Sequence, residues 1–194
     1  MRALTEFEIK HIEILTEKSV EITLIEPTAT GLEKSIMDAT GSVRNYLKRK
    51  SIHDFDSQGQ GPENKIQIKS YLVGNNSITD SIASLYRPNT KKGDPRVWFK
   101  GLGTYANAND ILAIIAFRRE LYVLNLTSLD LVQLIESDSN NPVKELIEEI
   151  KQYALLFKNN FDLEVLDSEL PAESSMDRIN AIIFGLENVY KNKS

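Results

Sequence analysis

Residues 111 to 126 limit what this chain can fold into more than any other stretch. Ile111 to Phe117 (ILAIIAF) is apolar throughout, and Leu121 to Leu126 (LYVLNL) nearly so, with a turn at Arg118 to Glu120 between them. Apolar runs this short, rich in β-branched residues and separated by a turn, predict a β-hairpin. Its first strand is expected to be buried on both faces, whereas the second carries Tyr122 and Asn125 at positions that could meet water. A strand covered on both sides needs a sheet and further layers around it. A chain of 194 residues can supply these as one domain, or as a domain with a small helical appendage.

The flanking segments predict more of the sheet and its helices. Thr5 as N-cap, Glu8 at the third helical position and Leu4 set to pack on Ile9 mark a helix over 5–18. Val20, Ile22 and Leu24 alternate with polar residues as a strand that stops at Pro27. The small hydroxyl-rich stretch from Thr28 to Ser35 reads as a loop. Val43, Tyr46 and Leu47 predict a short amphipathic helix with a basic end, Lys48 to Lys50. Beyond the Gly- and Pro-containing loop from Ser57 to Glu63, runs from Ile66 to Val73 and Ile78 to Tyr86 predict a second hairpin around Gly74-Asn75-Asn76.

After Ser128 the periodicity turns helical. Leu131, Leu134 and Ile135 mark one helix, and Val143 to Phe157 mark another, announced by Asn141 and by Pro142 at its first position. Leu163 to Leu166 reads as a possible strand, and Ile179 to Val189 as a last helix. The expected class is mixed and β-rich, with a β-barrel-like core and N-terminal helix over 1–127 and a helical extension over 128–194 packed on the same domain.

Composition narrows the chemistry. The absence of cysteine excludes disulfides, thiolate metal sites and a cysteine nucleophile, and His11 and His53 are too few for a histidine-rich metal centre. No cofactor is expected. No apolar run reaches the length of a membrane span and no leader pattern opens the chain, so a cytoplasmic protein without membrane contact is expected.

The net charge of −5 argues against nucleic acid until it is divided along the chain. Residues 28–100 hold twelve Lys or Arg against seven Asp or Glu, while residues 120–194 hold six against fourteen. The densest basic stretch is Tyr86 to Lys100, where Arg87, Lys91, Lys92, Arg96 and Lys100 face the single acid Asp94. An arbitrary basic loop is most simply a solvated connection between strands. Here Pro88 and Pro95 stiffen it, and Trp98 offers a stacking or packing body. Arg, Asn and a carboxylate are the partners of guanine, adenine and the cytosine amino group, so Arg87, Arg96, Asn89 and Asp94 have the donors and acceptors to read bases. Lys91 and Lys92 suit phosphates.

The order of these motifs resembles the N-terminal effector domain of EcoRII-type restriction endonucleases. The residues that carry the likeness are the strand, the Thr28-Ala29-Thr30-Gly31 loop, the short helix, the hairpin, the Arg87 to Arg96 basic loop and the final DILAIIAF and LYVLNL strands, together roughly residues 20–127. The resemblance implies a DNA-binding pseudobarrel, shared with the B-three domains of plant transcription factors, that grips the major groove with two arms. By position, the first arm is Thr28 to Ser35, with Thr28, Thr30, Glu33, Lys34 and Ser35 as contacts and Gly31 allowing close approach. The second arm is Arg87 to Trp98. Where that family has glycine, histidine and glutamine, this chain has Leu32, Glu33 and Lys34. The resemblance further implies double-stranded DNA carrying CC(A/T)GG as ligand, binding without cleavage, and a separate C-terminal nuclease domain as partner in the full-length enzyme.

Two other readings stay open at this level. Asp54 and Asp56, with Glu63-Asn64-Lys65, have the local form of a magnesium-dependent PD-(D/E)xK nuclease, although only a glycine-rich loop lies between them and short E-x-K matches arise by chance. His53 lacks a nucleophile to serve, Asp110 reads as a turn residue, and Gln58 and Gln60 as parts of a flexible loop. The acidic surface of Glu148, Glu149 and Asp162 to Glu169 would instead suit a protein-interaction module, which predicts no DNA binding at any salt concentration.

Overall fold

The computed structural model describes residues 1–136 and 140–167, with side chains described as far as 156. Met1–Lys151 form one compact unit, and the chain from Gln152 begins a second. The elements in order are α1 (Glu6–Glu17), β1 (Thr23–Ile25), α2 (Ala29–Glu33), β2 (Met37–Asp38), α3 (Gly41–Arg49), β3 (Ile66–Val73), β4 (Ile78–Tyr86), β5 (Arg96–Phe99), α4 (Leu102–Tyr105), β6 (Leu112–Phe117), β7 (Glu120–Asn125), α5 (Leu131–Glu136) and α6 (Pro142–Asp167). The architecture is mixed α/β around a curled seven-stranded sheet of order β1-β6-β7-β3-β4-β5-β2.

The predicted hairpin is β6 and β7, paired from Leu112↔Asn125 to Phe117↔Glu120. Arg118 and Arg119 both have positive φ, the geometry of a tight hairpin turn whose twist matches its strands. Both strands are covered on two sides because their alternate residues enter two different cores. Leu112, Ile114, Leu121 and Val123 join Val43, Leu47, Leu85, Val97, Phe99 and Leu102 in the first core. Ala113, Ile115, Phe117, Tyr122 and Leu124 join Leu15, Leu131, Val143, Ile147 and Ile150 in the second. The helices after residue 128 thus cover the outer side of the hairpin as far as Ile150.

That cover corrects the expectation for Tyr122 and Asn125, which do not meet water. Tyr122 stacks on Tyr71 with ring centroids 4.7 Å apart, and Asn125 donates from Nδ2 to Asp110 Oδ2 at 2.8 Å. Asp110 also accepts from the Asn107 N–H, so it is the turn residue its position suggested. The centre of the sheet is the parallel pairing of β3 with β7, from Ser70↔Leu121 to Val73↔Leu124. Tyr105 of α4 pins it: its hydroxyl shares its proton between the carbonyls of Val73 (2.8 Å) and Val123 (2.9 Å) and accepts from the Asn125 N–H (2.8 Å).

The predicted capping box of α1 is present, with Thr5 and Glu8 bonding each other's backbone N–H groups. Leu4 packs against the second core, whereas Ile9, expected to meet it, stays exposed. Three further expectations change. Thr28 to Ser35 is not simply a loop but contains the one-turn helix α2. Arg96 to Phe99 leaves the basic loop and pairs as β5 with β4 and β2, because Val97 and Phe99 alternate with Arg96 and Trp98 and bury in the first core. Leu163 to Leu166 is part of helix α6 rather than a strand. The expected last helix, Ile179 to Val189, lies outside the described residues.

Candidate nucleic-acid interface

The strands β1 and β2 are the two edges of the curled sheet, and α2 connects them. Between them opens a cleft of ≈ 760 Å³. Its walls hold Thr28, Thr30, Gly31 and Lys34 from the first arm beside Lys91 and Arg96 from the second, residues some sixty positions apart in sequence. Glu33, Ser35, Arg87, Asn89, Lys92, Asp94 and Trp98 do not line this cleft.

Local chemistry explains the first arm. Thr28 is the N-cap of α2, its hydroxyl accepting from the Gly31 N–H at 3.0 Å, so that hydroxyl serves the arm's own backbone. Gly31 is required by a close approach within the arm: a Cβ there would meet the Ile36 carbonyl oxygen at 2.7 Å, where the Ile36 N–H bonds the Gly31 carbonyl. Lys34 ends the turn with Ser35 at φ 53°, and Thr30, Glu33, Lys34 and Ser35 are exposed.

The second arm is held from beneath. Arg87 does not project outward: its Nε donates to the Gly93 carbonyl at 2.8 Å, and Nη1 reaches the carbonyls of Gln58 (3.3 Å) and Phe55 (3.4 Å). The Gly61 N–H donates to the Arg87 carbonyl at 2.8 Å, and Gln58 donates to the Leu85 carbonyl at 3.0 Å. Gln60 lies against Gly93, where a Cβ would come within 2.6 Å of its side chain. The segment expected to be merely flexible is therefore the arm's buttress. Above it, Lys91 (φ 50°), Lys92 (φ 56°) and Gly93 (φ 72°) are three consecutive left-handed residues, a conformation that costs non-glycine residues on the order of 1 kcal/mol each and persists only where neighbours enforce it. Asn89, Lys91, Lys92 and Asp94 are exposed around that turn.

Arg87→Ala is expected to release the turn while leaving both cores intact. The variant should lose about 1–2 kcal/mol of stability, and trypsin should cleave after Lys91 or Lys92 several times faster than in the parent. Limited proteolysis followed by mass spectrometry measures this, and an unchanged cleavage rate would show that the arm is held by other contacts.

Arg96 and Trp98 occupy the sheet instead of the loop. Arg96 is buried at the cleft with its Nε 4.0 Å from Asp38 Oδ1. Trp98 is half-buried against the first core and lines a second, shallower depression with Ser35, Gln67, Ser84 and Lys100. Asp38, Thr40 and Ser42 line the main cleft and were missed by sequence reasoning. A signal existed: Ala29-Thr30-Gly31 recurs as Ala39-Thr40-Gly41, and Thr40, like Thr28 before α2, is a threonine N-cap, here of α3.

The residues of the nuclease reading are engaged elsewhere. Lys48 Nζ binds Asp54 at 2.9 Å and Asp56 at 3.2 Å, and this ammonium holds the Asp54 carboxyl below its ordinary range. Asp54 also caps the turn that follows it. Glu63 accepts from Asn64, Lys65 stands over the Tyr86 ring at 5.9 Å, and His53 meets the Gln58 amide oxygen at 3.1 Å. Among the described residues no group of three His, Asp or Glu side chains is placed to hold a metal ion.

The class these features define is a mixed α/β domain whose curled sheet leaves a cleft between its two edge strands, rimmed by two chain-distant arms of which the second is basic. No protein-family model, curated protein or solved structure matches the chain.

Proposed function

We propose that this chain binds double-stranded DNA sequence-specifically, its curled sheet acting as a DNA-binding pseudobarrel. It would be the non-catalytic effector module of a restriction endonuclease resembling EcoRII, working beside a C-terminal nuclease domain in the full-length enzyme. The observation that carries this reading is the convergence of Lys34 with Lys91 and Arg96 on one cleft, from arms that only the fold brings together. Polyanion binding needs several cations on one surface, and sequence reading needs donors that can reach base edges. Lys34, Lys91 and Lys92 are exposed and suit phosphates, and Asn89 and Arg96 suit bases. Arg87 supports the second arm rather than touching DNA.

A gel shift against duplexes containing CC(A/T)GG and scrambled controls, with and without magnesium, tests the reading. Specific retardation without cleavage is expected. Lys92→Ala should weaken all duplexes alike and flatten the salt dependence by about one phosphate contact. No preference for any duplex at moderate salt overturns the proposal, and magnesium-dependent cutting abolished by Glu63→Ala would put the nuclease reading in its place.

A further inference from the structure

Asp38 and Arg96 are direct register partners across β2 and β5, so their side chains leave the sheet on one face, and both line the cleft. Their surroundings differ sharply. The Arg96 side chain is 11% exposed and that of Asp38 80%, and their nearest atoms, Nε and Oδ1, stand 4.0 Å apart, too far for a hydrogen bond. The buried Nε has no hydrogen-bond partner. An enclosed guanidinium normally spends its planar fork on a carboxylate or on carbonyls, as Arg87 does. Arg96 instead has an enclosed Nε without a partner, while the exposed part of its side chain stands at the wall of an open cleft, where a ligand can bring an acceptor to the guanidinium.

The neighbouring carboxylate decides which acceptor that is. A phosphate would satisfy the fork, but it would sit within a few ångströms of the exposed Asp38 anion, and like charges at that distance repel. A donor fork with a carboxylate acceptor directly across the strand pair is complementary to paired acceptors beside a donor. In the DNA major groove a C·G base pair presents this pattern, with guanine N7 and O6 as acceptors and the cytosine N4 amino group as donor. We infer that Asp38 and Arg96 act together as the reader of a C·G pair, Arg96 bound to guanine and Asp38 accepting from the cytosine amino group of that pair or its neighbour. The inference rests on the proposed DNA reading and adds Asp38, a residue outside both loops, as a specificity determinant. It also gives the acid a reason to stand beside Arg96: it keeps phosphates away from the guanidinium and so reserves the fork for a base.

Selection from duplexes randomised across the binding site, followed by affinity measurement on the enriched sequence and its single base-pair substitutions, tests this with the full chain. The parent should enrich a motif containing C·G. Asp38→Ala should lose about tenfold to a hundredfold of its discrimination at one C·G position while binding unrelated duplexes equally well or better, since a negative charge has been removed. Asp38→Asn, which adds an amide donor, should admit adenine there, and Arg96→Lys should flatten the same position while keeping the charge. An unchanged preference in Asp38→Ala, or equal weakening on every duplex, overturns the inference and leaves the DNA reading standing. Failure of the parent to retain any duplex overturns both.

Discussion

Phe99→Ala is expected to destabilise the protein by roughly 3–5 kcal/mol. Phe99 is fully buried, sits opposite Ala83 on the neighbouring strand and packs in the first core with Leu85, Val97 and Leu102. Removing its ring leaves a cavity that a core closed by the β6–β7 hairpin cannot easily collapse. Urea unfolding followed by circular dichroism measures the change. Since Phe99 is three residues from Arg96 on the same strand, the arginine proposed to read a base stands on the anchored part of the fold, whereas Lys91 and Lys92 stand on the held loop. Lys92→Ala in the same assay should shift stability by less than about 0.5 kcal/mol. A loss below about 1 kcal/mol for Phe99→Ala would mean that β5 hangs on the sheet rather than closing it.

Glu8→Ala is expected to cost roughly 3 kcal/mol at neutral pH. This carboxylate is buried and carries four interactions: a two-pronged pair with the Arg2 guanidinium, the Thr127 hydroxyl at 2.7 Å and the Thr5 N–H at 2.9 Å. Thr127 in turn accepts from the Ile111 N–H at 2.8 Å, so the network ties α1 and the N-terminus to the base of the β6–β7 hairpin. Removing the carboxylate leaves the Thr127 hydroxyl without its acceptor and leaves the Arg2 guanidinium only the Ala3 and Asn109 carbonyls. The Arg2 guanidinium above all, helped by the Thr127 and Thr5 bonds and opposed by burial, lowers the Glu8 carboxyl from 4.5 to about 2. Because the folded value lies below the unfolded one, this stabilisation is complete above about pH 4.5 and is lost as pH falls toward 2. The parent should therefore lose more stability than the variant between pH 5 and roughly 2, read as converging urea midpoints. Parallel curves would place the acid sensitivity in other groups.

Elements whose signals lie within a few residues were legible. The α1 capping box spans four positions, and the β6–β7 hairpin combines two short apolar runs with a tight turn, so each could be read without its neighbours. The α3 helix followed from Val43, Tyr46 and Leu47 on one side. Strand β5 carried the same kind of signal, Val97 and Phe99 alternating with Arg96 and Trp98, but the charge of the surrounding loop drew attention from it. Tyr122 and Asn125 could not be assigned by pattern, because what covers them comes from distant helices and from Asp110. The basic second arm was visible as composition, while the first followed only from the resemblance, and composition treats Arg87 and Arg96 alike. Only their surroundings separate a guanidinium bound to three carbonyls from one with an unpartnered Nε at a cleft wall.

By itself, then, the chain's order of residues determined the β-rich centre, the N-terminal helix and its cap, the central hairpin and the two stretches from which a binding surface could be built. These are set by local hydrogen bonding, side-chain period and charge, all of which act over a few residues. The tertiary structure alone decided that the two stretches meet, that Arg87 supports while Arg96 faces the cleft, and that Asp38 stands beside it. Those outcomes depend on strand register and on which surfaces exclude water, and both are properties of contacts between segments far apart in the chain.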